Sequence, residues 1–576
     1  MIARCSFWVG GLLLAIIPAA HAAPVPVRDS APFKPTLTVR TAPPDQILAD
    51  IRYTADLISR FAPGEKEAKE VVGGLDKALD STLGPDWRKA VDTVRPLFGY
   101  FNLESNLPVS TGAVLIPVKD RAAFESMLKH VVGKVDTGAD GVLRFDFSGA
   151  RSASGKAING YVRFANQYAY LTVNDPAVVA LDRIPSPAQI VAGDPKAAVS
   201  ARFYFDRLPE QHRQQAIGGV QQFKALLNGN MGGGGVTMGV AWMQMVIFGG
   251  PMFQLYPLVE PAIRDGQELT LDVRYDRARL NLNFEATLTA KAGSELSKLV
   301  AALKPATSLF PQMLGTDLAA RALIRGTIPA DIRKVIVAQL ESGLAMAPQG
   351  DPVWGPFAAK IVESMLPTLR EGEVDLAGGL LGPGKKEQYG IVGGLRLKDA
   401  AGVEKALREA VKALPKDAQV MLKLDATTVG GVKVHQILLP PLPEPAKSIF
   451  GESTVHIAFR PDGVVVAFGD GTPGILGAGL SAKPQPVAQS FVDASGRMLI
   501  PLVSKIDADA GKKFKAFVGN EIDRVPILEL AVEGGSTLKV RYGNGLATFV
   551  PLLGFYTFRA VGMEAQRIQV APAAVP

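Results

Sequence analysis

One cysteine, five histidines and an aromatic content of 7% leave little reactive side-chain chemistry in 576 residues. The cysteine, Cys5, stands ahead of an apolar run that reads as a secretory leader: Arg4, apolar Phe7 to Ile17, helix-breaking Pro18, and small Ala20 and Ala22. Cleavage is expected after Ala22. Removal of residues 1–22 would take Cys5 away and leave no thiol, excluding disulfides, thiolate nucleophiles and thiolate metal sites from the mature chain. The run is too short to span a bilayer once the protein is mature, so no transmembrane span is expected there. The expected destination is the periplasm or the extracellular space.

Charge of one sign is not concentrated anywhere. The net charge is +7 with 20% charged residues, and the largest local excess, Lys512, Lys513 and Lys515, falls on one expected helix without aromatic partners. A nucleic-acid footprint needs a basic stripe, so no nucleic-acid partner is expected. Hydrophobic residues make up 47% of the chain, enough for two to four folded domains of ordinary composition.

What the chain does contain is a repeat. Residues 116–129, IPVKDRAAFESMLK, return as residues 395–408, LRLKDAAGVEKALR, with Lys119/Lys398, Asp120/Asp399, Ala122/Ala401, Glu125/Glu404 and Leu128/Leu407 identical. Ile116 and Val118, like Leu395 and Leu397, alternate as a half-buried strand does, and Phe124, Leu128 and Val131 then follow at helical spacing. Asp120 is placed to cap the helix and Lys119 to be solvated, a plainer account than a catalytic Lys/Asp pair.

Further pairs follow. Val39, Arg40, Pro44 and Ile47 match Ile324, Arg325, Pro329 and Ile332; LDVRY at 271–275 matches LKVRY at 538–542, each followed by a turn, the second at Gly543, Asn544 and Gly545; Arg202 matches Arg497 less clearly. Short hairpin signals (Asp140–Gly141, 461–463, 382–386) favour antiparallel pairing over a doubly wound parallel sheet. The expected class is α+β, two tandem homologous lobes each with a mainly antiparallel sheet and packed helices. The expected organisation is a leader at 1–22, a Pro-rich extended stretch at 23–36, a first copy at 37–303, a linker at 304–319, a second copy at 320–550 and a tail at 551–576.

The first copy carries extra material at 228–261, Gly- and Met-rich and without charge between Lys224 and Glu260. Trp242, Met243, Met245, Phe248, Met252 and Phe253 offer adaptable contacts for a hydrophobic or lipid ligand; the competing reading is simple burial. Other candidates are weak. His435 and His456 lie on neighbouring strands and could begin a metal site, but no third ligand is near in sequence, and exposed polar positions are expected. Ser126 and Lys129 fit S-x-x-K on a surface helix, without its companion motifs. GARSASGKA at 149–157 has the wrong spacing for a phosphate loop and reads as a polar hairpin loop. No cofactor or metal is expected, and no motif marks an enzyme.

The leader, the repeated strand, Lys-Asp corner and helix, and the terse hairpins resemble a loose set of uncharacterised secreted bacterial proteins of unknown function. The resemblance implies an extracytoplasmic role and carries over no activity and no site. The ranked expectations are a non-catalytic envelope scaffold or binding protein, then a carrier or sensor of a hydrophobic ligand, then a hydrolase without recognisable motif.

Overall fold

The computed structural model describes residues 33–544, apart from 60–73, 106–109, 152–156, 231–254, 342–353, 519–523 and a few shorter interruptions. The leader, Trp242, Met243, Met245, Phe248, Met252 and Phe253 therefore lie outside the described residues.

The chain opens with β1 (Leu37–Thr41), and Pro44, whose fixed φ suits a first helical turn, starts α1 (Pro44–Ser59). β2 (Phe98–Asn102) and β3 (Thr111–Pro117) follow, then α2 (Arg121–Val132), β4 (Asp136–Thr137), β5 (Leu143–Arg151), β6 (Ala157–Ala165), β7 (Tyr168–Val173) and β8 (Val199–Tyr204). α3 (Glu210–Asn230), α4 (Tyr256–Asp265), the hairpin of β9 (Gly266–Asp276) and β10 (Asn281–Ala290), and α5 (Glu295–Ala302) complete this part. The second part runs through β11 (Ala306–Ser308), β12 (Leu318–Thr327), α6 (Trp354–Glu371), β13 (Glu373–Leu381), β14 (Gly390–Arg396) and α7 (Ala400–Ala413). It continues with β15 (Leu422–Val429), β16 (Val432–Leu438), β17 (Thr454–Arg460), β18 (Gly463–Gly469), α8 (Thr472–Ser481), β19 (Gln485–Val487) and β20 (Gln489–Ala494). α9 (Gly496–Ile506), α10 (Ala508–Val518), β21 (Val525–Glu533) and β22 (Thr537–Asn544) end it.

Twenty of these strands form one sheet, antiparallel at every pairing, and the fold is α+β. At the centre β10 pairs with β22, Phe284 opposite Tyr542 and Leu288 opposite Leu538. From β10 outward the order is β9, β8, β1, β2, β3, β7, β6, β5, β4; from β22 it is β21, β20, β12, β13, β14, β18, β17, β16, β15. The two Lys-Asp corners, β3 to α2 and β14 to α7, thus hold the same place in their halves, sixth from the centre. Each aspartate accepts a hydrogen bond from the backbone three residues on, Asp120 from Ala123 at 2.7 Å and Asp399 from Gly402 at 2.8 Å. Lys119 and Lys398 are exposed, and Ser126 is exposed on α2.

Away from the centre of the sheet, both faces of each half are packed. On β7, Ala169 packs with Phe124, Leu128 and Leu143 beneath α2, while Tyr168 and Tyr170 join Tyr100 and Leu115 on the other face, as period-two alternation requires. In the second half Leu407, Val411 and Leu422 pack beneath α7, and Val434, Ala458 and Val465 lie on the opposite face against Phe310, Met313 and Leu476 of α8. A buried leucine or phenylalanine contributes about 2 kcal/mol, so these layers carry the sheet. Leu309, Phe310, Met313 and Leu314, between the halves in sequence, belong to this second core.

Three sequence expectations are corrected. LDVRY lies on β9, second from the centre, whereas LKVRY lies on β22, at the centre; five residues of alternating apolar pattern suit either strand, so that match pairs different positions. Arg202 is on β8, but Arg497 is in the first turn of α9. Gly543 and Asn544 make no turn: they extend β22 and face Asn283 and Leu282. The hairpin loop at 149–157 is flanked by Arg151 paired with Ala157, with 152–156 outside the described residues.

Candidate functional site

Among the described residues, one group of side chains gathers the donor types a metal or proton needs: Glu404, Asp425 and His435, whose ligand atoms lie within 4.8 Å of one another. Three elements deliver them. Capped by Asp399, α7 turns Val403, Leu407 and Val411 into the core and leaves Glu404 and Arg408, one turn apart, on its flank. β16 alternates, so Val434 enters the core on one face and His435, 2% exposed, is pressed beneath α7 on the other. The third element is the outermost strand, β15, where the pairing register with β16 slips between Lys423 and Thr427. In that bulge Asp425 adopts φ 54°, a left-handed conformation that aspartate tolerates better than most residues.

The bulge turns two groups of Asp425 inward. Its backbone N–H donates to His435 Nδ1 at 3.1 Å. Its carboxylate receives Arg408 in a bidentate pair, Nη2 to Oδ1 at 2.6 Å and Nη1 to Oδ2 at 3.1 Å. Arg408 also donates to Glu404 Oε1 from Nη2 at 2.6 Å and from Nε at 3.0 Å. Lys433 Nζ approaches Asp425 Oδ2 at 3.4 Å, and the His435 ring is tilted against Phe459 at 6.0 Å. His435 Nε2 lies 3.4 Å from Glu404 Oε1, beyond an ordinary hydrogen-bond length.

These contacts set the charge states. Hydrogen bonding to Arg408, aided by Lys433, holds the Asp425 carboxyl down at about 2. The Asp425 bond pushes the Arg408 guanidinium up. Burial, followed by the nearby Arg408 charge, pulls His435 below its usual value although Glu404 and Asp425 favour its charged form. A neutral imidazole that accepts at Nδ1 carries its proton on Nε2.

That tautomer bears on the metal reading. The nitrogen facing Glu404 is protonated, the other is taken by a backbone N–H, and Arg408 already bridges both carboxylates as an internal cation. A divalent ion would have to displace a bidentate guanidinium and reverse the tautomer, so the residues do not fit one. A substrate could not reach the buried ring either. What the arrangement can do is hold the edge strand in a bulge and take up a proton.

The sequence expectation for the histidines is therefore corrected. His435 is buried rather than exposed, because α7 covers the sheet face opposite Val434. Cross-strand pairing sets Gln436 opposite His456, their side-chain nitrogens 3.2 Å apart, so His456 lies on the face away from His435 and outside the cluster. No linear signal could have found the cluster, since its members come from a helix and two strands; the Glu404 and Arg408 spacing was the only local hint.

A second feature is apolar and lies where the halves meet. One face of β9, β10 and β22 is covered toward Leu288 and Leu538 by Leu258 of α4 and by Leu296 and Val300 of α5. Farther along the same face Leu271 is 44% and Phe284 39% exposed. Half-buried Val273, Tyr275, Leu282 and Tyr542 surround them, Phe284 and Tyr542 meeting at 6.1 Å. The opposite face is charged and paired: Arg274 donates to Asp194 at 2.9 Å and to Glu285 at 3.2 Å, and buried Asp272 accepts from Ser200. Among the described residues no helix is long and apolar enough to cross a membrane. No protein-family model, curated protein or solved structure matches the chain.

Proposed function

We propose that the protein is an exported, non-catalytic binding protein, made of two copies of one α+β unit joined edge to edge, which takes an apolar partner on the bare part of its central face. Support for two copies comes from the five identities around the Lys-Asp corners, the equivalent caps at Asp120 and Asp399 and the shared strand order. Support for export comes from the pattern of residues 1–22. A non-catalytic role fits a cluster whose charges neutralise one another and whose imidazole is shut from solvent.

The observation that carries the reading is the exposure of Leu271 and Phe284 on strands whose neighbouring stretch is covered. Side chains of that size left bare on a sheet face mark a contact surface, and covering them stabilises a complex by about 25 cal/mol per Å². A patch of leucine, valine, phenylalanine and tyrosine side chains suits a hydrocarbon chain such as a lipid acyl group. Trp242, Met243, Met245, Phe248, Met252 and Phe253 stay in the proposal as further apolar contacts, on the strength of their sequence alone.

The test is native mass spectrometry of the full chain purified from its own cell envelope, beside a Leu271→Asp, Phe284→Asp variant. An apolar adduct on the wild type that disappears from the variant is expected. A bare wild-type mass, or an adduct that survives both substitutions, contradicts the proposal.

A further inference from the structure

The sheet ends in two different ways. On one side the last strand is β4, two residues long; on the other it is β15, eight residues long, with no strand beyond it among the described residues. Lys423, Asp425, Ala426, Thr427 and Thr428 are exposed along it. An open edge of that length is a template for another strand unless something interrupts it. Here the interruption is the Asp425 bulge, where the Asp425 N–H is held by His435 Nδ1.

We propose that His435 is a latch that keeps β15 closed to a second copy of this chain, and that protonating it opens the edge to antiparallel β15–β15 pairing. The bond from Asp425 N–H exists only while Nδ1 has a free lone pair. An imidazolium donates at both nitrogens, so the same geometry would set one N–H against another.

The charged groups around the ring are Glu404 and Arg408 from α7, Asp425 from β15 and Lys433 on its own strand, with β17 supplying Phe459. The new Nδ1–H has its nearest carboxylate oxygen at Asp425 Oδ1, 3.6 Å away, and the Nε2–H has Glu404 Oε1 at 3.4 Å. Both carboxylates are already engaged by Arg408, so two cations compete for them and the left-handed turn at Asp425 loses the bond that holds it. Released, the strand can run straight.

A second copy is the partner that suits the edge. In an antiparallel pairing centred on Leu424, Lys423 of each chain faces Asp425 of the other, and like strands present the same hydrogen-bonding groups to each other. The direction of the His435 shift places the opening on the acid side of the ordinary imidazole range.

The experiment is the molar mass of the full chain by light scattering after size exclusion, at about pH 7.5 and about pH 5, with circular dichroism recorded alongside. Wild type is expected to be monomeric at the higher pH and dimeric at the lower. His435→Gln, whose amide oxygen can accept from Asp425 N–H and does not titrate, is expected to stay monomeric at both. Lys423→Glu, exposed on the strand and set against Asp425 of the other chain in this register, is expected to keep the latch and lose the acid dimer, and it tests the surface even if the His435 variant does not fold. A wild-type mass that does not change between the two conditions overturns the inference, as does an acid dimer that Lys423→Glu leaves intact.

Discussion

The same place in the two halves of the sheet holds a leucine in one and a histidine in the other. Val114 and Gly393 each lie five residues before the lysine of a Lys-Asp corner. Cross-strand partners followed outward from Val114 lead through Leu171 and Val162 to Leu143; from Gly393 they lead through Val466 and Ile457 to His435. Leu143, 1% exposed, packs on Phe124 and Leu128 beneath α2, while His435, 2% exposed, sits beneath α7 within reach of Glu404, Arg408 and Asp425. The scaffold needs that slot filled; it does not dictate with what chemistry. The polar knot belongs to the half whose edge strand is the longer, and it lies beside that strand.

The largest expected effect comes from exchanging the two occupants. Leu143→His puts an imidazole among the apolar side chains of Phe124 and Leu128 and should lower stability to urea by ~3 kcal/mol. His435→Leu removes one backbone acceptor and should cost only ~1 kcal/mol. Equal losses would mean that the two slots are not comparable.

Next in size is Arg408→Met, which leaves Glu404 and Asp425 without their shared cation. Their side chains are 28% and 33% exposed, so solvent screens the remaining repulsion and a loss of ~1–2 kcal/mol is expected. The pH dependence sharpens this. The folded pKa of His435 is depressed, so its contribution is complete above the unfolded value near 6.5 and declines as pH falls below it, because the unfolded chain then binds more protons. Asp425, depressed to about 2, adds a second decline below the unfolded carboxyl value of about 3.9. Urea midpoints measured across pH should show both steps in the wild type and only the lower one in His435→Gln. The smallest effects are at the caps: Asp120→Ala and Asp399→Ala should each cost ~1 kcal/mol, and the two losses should agree closely.

Much of the fold was legible because its signals are local. Alternation before Lys119 and Lys398, capping aspartates after them, and glycine turns at 140–141 and 461–463 all act within a few residues, and each stands where the pattern placed it. The match of 271–275 to 538–542 failed because a five-residue alternating strand carries no information about its neighbours. The cluster was invisible for a related reason: Glu404, Asp425 and His435 meet only because β15 and β16 pair beneath α7, and the bulge that turns Asp425 inward is a property of the pairing. The bare central face was equally hidden, since Leu271 and Phe284 read as ordinary inward strand residues until α4 and α5 are seen to cover only part of that face.

The two halves are joined strand to strand through β10 and β22. With Cys5 as the native chain's sole cysteine, that join can be probed in a Cys5→Ser background by Thr287→Cys with Lys539→Cys, which face each other across it. Mild oxidation should close this pair nearly completely, whereas Thr287→Cys with Val540→Cys, on opposite faces, should stay reduced. Failure of the first pair to close, or equal closure of both, would show that the two halves do not share one sheet.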